Sequence, residues 1–166
     1  MNNPIKDILN RRIFGIRLGD AVKVLLLILI VVIGLQARTL LFFVTGSNTP
    51  LAVVEGYSMF PLLREGDLVF AYKPSPNDIH VGDIVIYRGV HGELIIHRVV
   101  KIVEKNGEKY YVTRGDNNEG NDYFQFLGKP GVTYDRIEGK VIEFNGAVFK
   151  IPYIGYLSIW YHQLRS

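Results

Sequence analysis

Ser58 stands in the run Gly56-Tyr57-Ser58-Met59-Phe60-Pro61. A serine between a flexible glycine and a Met/Pro pair can sit on a turn with its hydroxyl and backbone N–H both exposed. One residue could then supply a nucleophile and an oxyanion donor. Alone the run is a weak signal, because a serine in a turn more often bonds its own backbone. A hydroxyl also needs a neighbouring base. His91 falls in a predicted hairpin turn, His162 lies near the C-terminus, and His80 sits in a loop beside Asp78 and Asp83. His97 differs, because it interrupts the apolar run Leu94-Ile95-Ile96-His97-Arg98-Val99-Val100 in mid-strand. A neutral imidazole there needs partners for both nitrogens. A satisfied core histidine is the plainer alternative.

A third piece is the loop Arg114-Gly115-Asp116-Asn117-Asn118-Glu119-Gly120-Asn121-Asp122. Asp116 and Asp122 lie in glycine- and asparagine-rich chain that can bend back towards a strand-borne histidine. One carboxylate there would fix the imidazole tautomer and stabilise the imidazolium as it forms. A solvated turn or a calcium loop would use the same residues, although the ligand series of an EF-hand is missing. Cysteine is absent. That removes disulfides, a thiol nucleophile and thiolate metal sites from consideration.

These residues must be carried by something. Between Ala21 and Val44 the chain is almost continuously apolar, interrupted by Lys23, Gln36 and Arg38. A spanning helix needs roughly 20 apolar residues at ~1.5 Å each, and Lys23 and Arg38 can snorkel at the ends. Lys6, Arg11, Arg12, Arg17 and Lys23 precede or open it, against only Asp7 and Asp20. The positive-inside tendency then keeps the N-terminus cytoplasmic and exports everything after Val44. A cleaved signal peptide fits less well, because the apolar part exceeds the usual ~7–15-residue h-region. The expected division is a cytoplasmic segment 1–20, a transmembrane anchor 21–44 and an extracytoplasmic domain 45–166.

In the domain, short runs rich in Val, Ile, Tyr and Phe alternate with Gly, Pro, Asn and Asp. They predict strands at Leu51–Val54, Asp67–Tyr72, Asp83–Arg88, Leu94–Glu104, Lys109–Arg114, Arg136–Phe144 and Ala147–Ile151. Val90-His91-Gly92-Glu93, Lys105-Asn106-Gly107-Glu108 and Glu143-Phe144-Asn145-Gly146-Ala147 read as hairpin turns. The stretch from Gly115 to about Pro130 reads as a long loop. The fold class is mainly β, with antiparallel sheets folded into a barrel-like catalytic domain behind one N-terminal transmembrane helix. Tyr153, Leu157, Trp160 and Leu164 share one face of a possible C-terminal helix, which would lie on the membrane interface or pack on the core. Net charge is +3, too small and scattered to argue for a nucleic-acid partner.

Taken together, the chain resembles the signal peptidase I family in its archaeal and endoplasmic-reticulum branch. The likeness is carried by the apolar N-terminal segment, Ser58-Met59-Phe60-Pro61, Gly66-Asp67-Leu68-Val69, Gly82-Asp83-Ile84-Val85, Ile96-His97-Arg98-Val99, Gly115-Asp116-Asn117-Asn118 with Asp122, and Val141 to Gly155. The bacterial branch uses a serine–lysine dyad with lysine where His97 stands. The resemblance therefore implies Ser58 as nucleophile and His97 as general base. It implies Asp122 as the triad's carboxylate in preference to Asp116, which becomes a supporting acid. Gly56 stands where the bacterial branch often has a hydroxyl residue of the oxyanion hole, so Gly56, Met59 and Pro61 shape the site and the Ser58 N–H is the best donor.

The implied substrates are signal-peptide-bearing preproteins cut after small residues. The lipid membrane is a partner, as are translocation machinery or accessory subunits. No metal or organic cofactor is required. Four competing readings remain: a tethered protease for a few dedicated exported clients, a lysine-based site using Lys73, Lys101 or Lys140, a non-enzymatic membrane-anchored β binding module, and a cytoplasmic repressor with a self-cleaving serine–lysine domain, which shows no DNA-binding segment and would leave the anchor unexplained.

Overall fold

A computed structural model describes residues 12–13 and 16–163, which fall into two compact units, Met1–Leu40 and Leu41–Ser166. Much of the expected cytoplasmic segment lies outside the described residues, as does Leu164. In the first unit β1 (Arg12–Ile13) pairs antiparallel with β2 (Ile16–Arg17), and α1 (Leu18–Thr45) follows directly, its last five residues belonging to the second unit. Leu25, Leu27, Ile28, Ile30 and Ile33 of α1 are all exposed. A helix apolar on every side has no polar face to offer water. No single described helix is long and apolar enough to cross a membrane. Leu18–Gly34 and Thr39–Thr45, which meet at a bend, reach that length and composition only as a pair.

The second unit is mainly β and antiparallel. Its strands are β3 (Leu51–Val53), β4 (Leu68–Tyr72), β5 (Ile84–Arg88), β6 (Leu94–Lys105), β7 (Glu108–Arg114), β8 (Val132–Thr133), β9 (Ile137–Val141), β10 (Glu143–Phe144), β11 (Ala147–Val148) and β12 (Lys150–Ile151). The main sheet runs β12-β4-β9-β5-β6-β7-β8, with β3 on the other side of β4. It does not close. No ladder joins β8 to β3 or β12 among the described residues, so the expected barrel-like form is an open sheet. The two-residue β8 is too short to carry the sheet round to its far end.

The strand positions follow the sequence closely, with three differences. The run expected as one strand from Arg136 to Phe144 is split into β9 and β10, and the run expected from Ala147 to Ile151 into β11 and β12. At Ile142 the backbone leaves β9 to bond Phe70 and Phe149. β8 falls just after the expected loop, and that loop also holds a 3-10 turn at Tyr123–Phe126. At the C-terminus α2 (Tyr156–Gln163) is held at its start. Gly155 packs against Val53 and the Gly66 carbonyl, and the Tyr156 ring covers Gly66. Leu157 and Trp160 stay exposed.

β5 is buried on both faces. Ile84 and Ile86 join Met59, Leu63, Val69 and Val141 in one cluster, while Val85 and Tyr87 join Val99, Tyr111 and Ile137 in another. A strand that forms the wall between two cores must be apolar at successive positions, as Ile84-Val85-Ile86 is. β6 lies beside it with Val85 opposite His97 and Tyr87 opposite Ile95. His97 and Tyr87 are therefore diagonal neighbours on one sheet face, close enough to share a partner.

Candidate active site

The chain leaves β3 through Val54 and Glu55 and turns at Gly56, whose φ of +78° suits glycine. An added Cβ there would meet nothing within 4 Å, so conformation rather than space fixes this residue. Met59 is buried beneath the turn, and Pro61 follows on its exposed side after a cis peptide bond. The Phe60 N–H donates to Tyr57 O (3.1 Å) and the Leu63 N–H to Met59 O (2.9 Å). From the opposite loop Asn117 donates its N–H to Ser58 O (2.8 Å) and its Nδ2 to Tyr57 O (3.2 Å). Gly115 permits that approach: a Cβ on it would stand 2.6 Å from Ser58 O.

On this turn Ser58 Oγ lies 2.9 Å from His97 Nε2, and His97 Nδ1 lies 2.6 Å from Asp122 Oδ2. Carboxylate acceptance at Nδ1 selects the tautomer with its proton there, leaving the Nε2 lone pair to accept from the serine hydroxyl. The histidine and aspartate side chains are 10% and 8% exposed, so the bond between them is shielded from water, while Ser58 is half-exposed. The buried Tyr87 phenol also donates to Asp122 Oδ2, at 2.9 Å. Burial pushes its pKa well above the ordinary value, with Asp122 adding to the rise, so it remains a donor at all physiological pH. The Asp122 N–H is tied to Thr113 O on β7 (2.9 Å).

Asp116 does not join this relay. Its two oxygens take a bidentate pair from Arg98 at 2.8 and 2.7 Å, while Arg98 Nη1 donates to Gly82 O at 2.6 Å. Asp116 holds the guanidinium pKa up and clamps the loop to β6, one residue beyond His97. The lysine alternatives lie elsewhere. Lys73 bonds Ile137 O beneath the Tyr134 ring, Lys140 pairs with Asp83, and Lys101 is exposed farther along β6. His91 packs at a tilt against the Phe124 ring, and His80 approaches Asp83. Tyr87, Asn117, Gly115 and Arg98 were not singled out from the sequence. For Tyr87 a signal exists: a phenol inside the run Ile84-Val85-Ile86 needs a partner for its hydroxyl.

The relay opens into a groove of about 660 Å³, lined by Leu51, Ala52 and Val53 of β3, Leu94, Ile95 and Ile96 of β6, and Ser58, Met59 and His97. Among the described residues β3 pairs only with β4. Leu94–His97 pair only with β5, because the β7 ladder begins at Arg98. Both strands thus present an unpaired edge beside the serine. Alcohol, imidazole and carboxylate in series are the chemistry of serine hydrolases, in which the base takes the hydroxyl proton as oxygen attacks an acyl carbon.

Residues 33–123 match the Peptidase S24-like family model. Signal peptidase complex catalytic subunit SEC11C of Homo sapiens is 36% identical over 121 residues, covering 72% of this chain and 60% of that protein. The corresponding subunit SEC11 of Lachancea thermotolerans is 35% identical over 124 residues, covering 72% and 70%. An uncharacterized protein of Methanocaldococcus jannaschii is 28% identical over 171 residues, covering 65% and 81%. The chain belongs to the S24-like peptidases, within the signal peptidase I group of the archaeal and endoplasmic-reticulum type. It spans 60% of the length of the SEC11C relatives it matches.

Proposed function

We propose that this chain is a membrane-tethered serine endopeptidase that removes signal peptides from exported preproteins, cutting after small residues. One observation carries the reading: the unbroken series Ser58 Oγ, His97, Asp122 at 2.9 and 2.6 Å, opening beside two free strand edges. The relatives' designation as catalytic subunits of a signal peptidase complex supports the substrate class and favours accessory subunits as partners.

In this mechanism an extended substrate adds as a strand to the edges of β3 and β6, its scissile carbonyl beside Ser58. His97 Nε2 takes the hydroxyl proton as Ser58 Oγ bonds to the carbonyl carbon. The carbonyl oxygen gains the electron pair and turns to the Ser58 N–H, which has no hydrogen-bond partner among the described residues. Asp122 stabilises the imidazolium. His97 then gives its proton to the departing amine, the C–N bond breaks and an acyl-serine remains. A water deprotonated by His97 hydrolyses the ester and restores the hydroxyl. Small side chains are selected because Val53, Met59 and Ile96 crowd the groove beside the serine.

α1 supplies the tether, with residues 1–20 cytoplasmic, 21–44 in the bilayer and 45–166 extracytoplasmic. The apolar surface of α1 and the basic residues before it support that division. The test is processing of a model preprotein in membranes containing the full chain or its Ser58→Ala variant. Cleavage by the wild type and none by the variant is expected. Equal processing by both removes Ser58 from the reaction and ends the reading.

A further inference from the structure

Asp122 has a second neighbour whose geometry exceeds what packing requires. Its side chain accepts from only two donors among the described residues, the Tyr87 phenol and His97 Nδ1, and both reach the same oxygen, Oδ2. The carboxylate caps no backbone N–H of the 3-10 turn that it precedes. No other side-chain hydrogen bond among the described residues selects which oxygen faces the imidazole. Tyr87 is fully buried in the cluster with Val85, Val99 and Tyr111, so its hydroxyl can move little.

We propose that Tyr87 is a positioning residue: its O–H pins Oδ2 of Asp122 towards His97 and moderates the basicity of that carboxylate. The inference rests on the triad reading above. The charged and titratable groups around the phenol are Asp122, His97 and the Arg136 guanidinium, 6.0 Å from the ring centroid, with Tyr111 in the same cluster. Without the phenolic donor the carboxylate loses a hydrogen bond that stabilised its charge. It then holds the imidazolium proton more tightly and can rotate so that either oxygen faces the ring. His97 must be neutral to act as base, so the acid limb of the rate profile moves to higher pH.

The experiment compares wild type, Tyr87→Phe, Asp122→Asn and the double variant as full chains in membranes with a model preprotein. Phosphonylation of Ser58 Oγ by a phosphonofluoridate, with loss of fluoride, gives a second readout independent of preprotein binding. Phenylalanine keeps the buried ring, and circular dichroism checks the fold of each variant. Expected for Tyr87→Phe is a fall in kcat of about tenfold with KM unchanged. Its acid limb should move up by about half a pH unit or more. On the Asp122→Asn background the same change should add less than about twofold, because the two residues act as one unit. An unchanged rate and pH profile for Tyr87→Phe, beside an impaired Asp122→Asn, overturns this inference alone. So does a tenfold effect that persists undiminished in the double variant. Full activity of Asp122→Asn overturns the triad reading and this inference with it.

Discussion

Replacing Gly115 by alanine pushes a methyl group into the back of the serine turn. The new Cβ would stand 2.6 Å from Ser58 O and 2.8 Å from Asn118 Nδ2, whereas ordinary contact begins at 3.4 Å. The asparagine side chain can swing away; the Ser58 carbonyl is backbone and cannot. It must recede by about 0.8 Å, which also strains the 2.8 Å bond from the Asn117 N–H. If Ser58 Oγ moves with its backbone, its 2.9 Å separation from His97 Nε2 grows towards about 3.7 Å, beyond hydrogen-bond range. A displacement near 1 Å in a reacting group costs about a hundredfold in rate. Overpacking of this kind destabilises by about 1–3 kcal/mol, too little to unfold most domains of this size. Gly115→Ala is therefore expected to stay folded and to process a preprotein about a hundredfold more slowly. Serine phosphonylation should slow in parallel. The assay is initial cleavage rate in membranes beside a thermal melt. A folded Gly115→Ala protein working within threefold of wild type would refute the claimed coupling between this loop and the nucleophile.

Two further outcomes follow from the same geometry. Asp122→Asn should lower kcat by three or more orders of magnitude, because an amide cannot stabilise the imidazolium. Asp116→Asn, which only weakens the Arg98 clamp, should cost about 1 kcal/mol of stability and less than about tenfold in rate. Urea melts and initial rates on both variants separate the two roles. The Tyr87 pKa lies above its ordinary 10.0 in the fold because of burial. The folded state favours the protonated phenol, so this stabilisation is complete below pH 10 and is lost as pH rises above it. The loss runs at about 1.4 kcal/mol per pH unit for one proton. Urea midpoints measured between pH 9 and 11 should fall less steeply for Tyr87→Phe, with Tyr111, raised by the same cause, retaining part of the slope.

The local elements were legible because their signals are local. Asn106-Gly107 fixes the β6–β7 hairpin through positive φ at both residues. Ile84-Val85-Ile86 betrays a strand buried on both faces. Ser58 and His97 could be picked out as the odd polar residues in their runs, though only the fold, with His97 on β6 and the Ser58 turn held by Asn117, brings them within one hydrogen bond. Asp116 and Asp122 could not be separated from the loop's composition. That distinction depends on Arg98 and Tyr87, which lie on other strands and capture one carboxylate each. Closure of the sheet was expected from strand spacing, a local property. Its absence depends on the outer neighbours of β8 and β3, which local pattern does not encode.

The two bare strand rims flanking Ser58 also set a rule about admission. A polypeptide can satisfy both only by lying fully stretched between them, with its main-chain amides unclaimed by structure of its own. Compact domains have already spent those amides internally and would be turned away whatever their sequence. On the proposed reading, a membrane neighbourhood crowded with finished proteins can then coexist with an uncovered nucleophile, because what protects the bystanders is their own secondary structure.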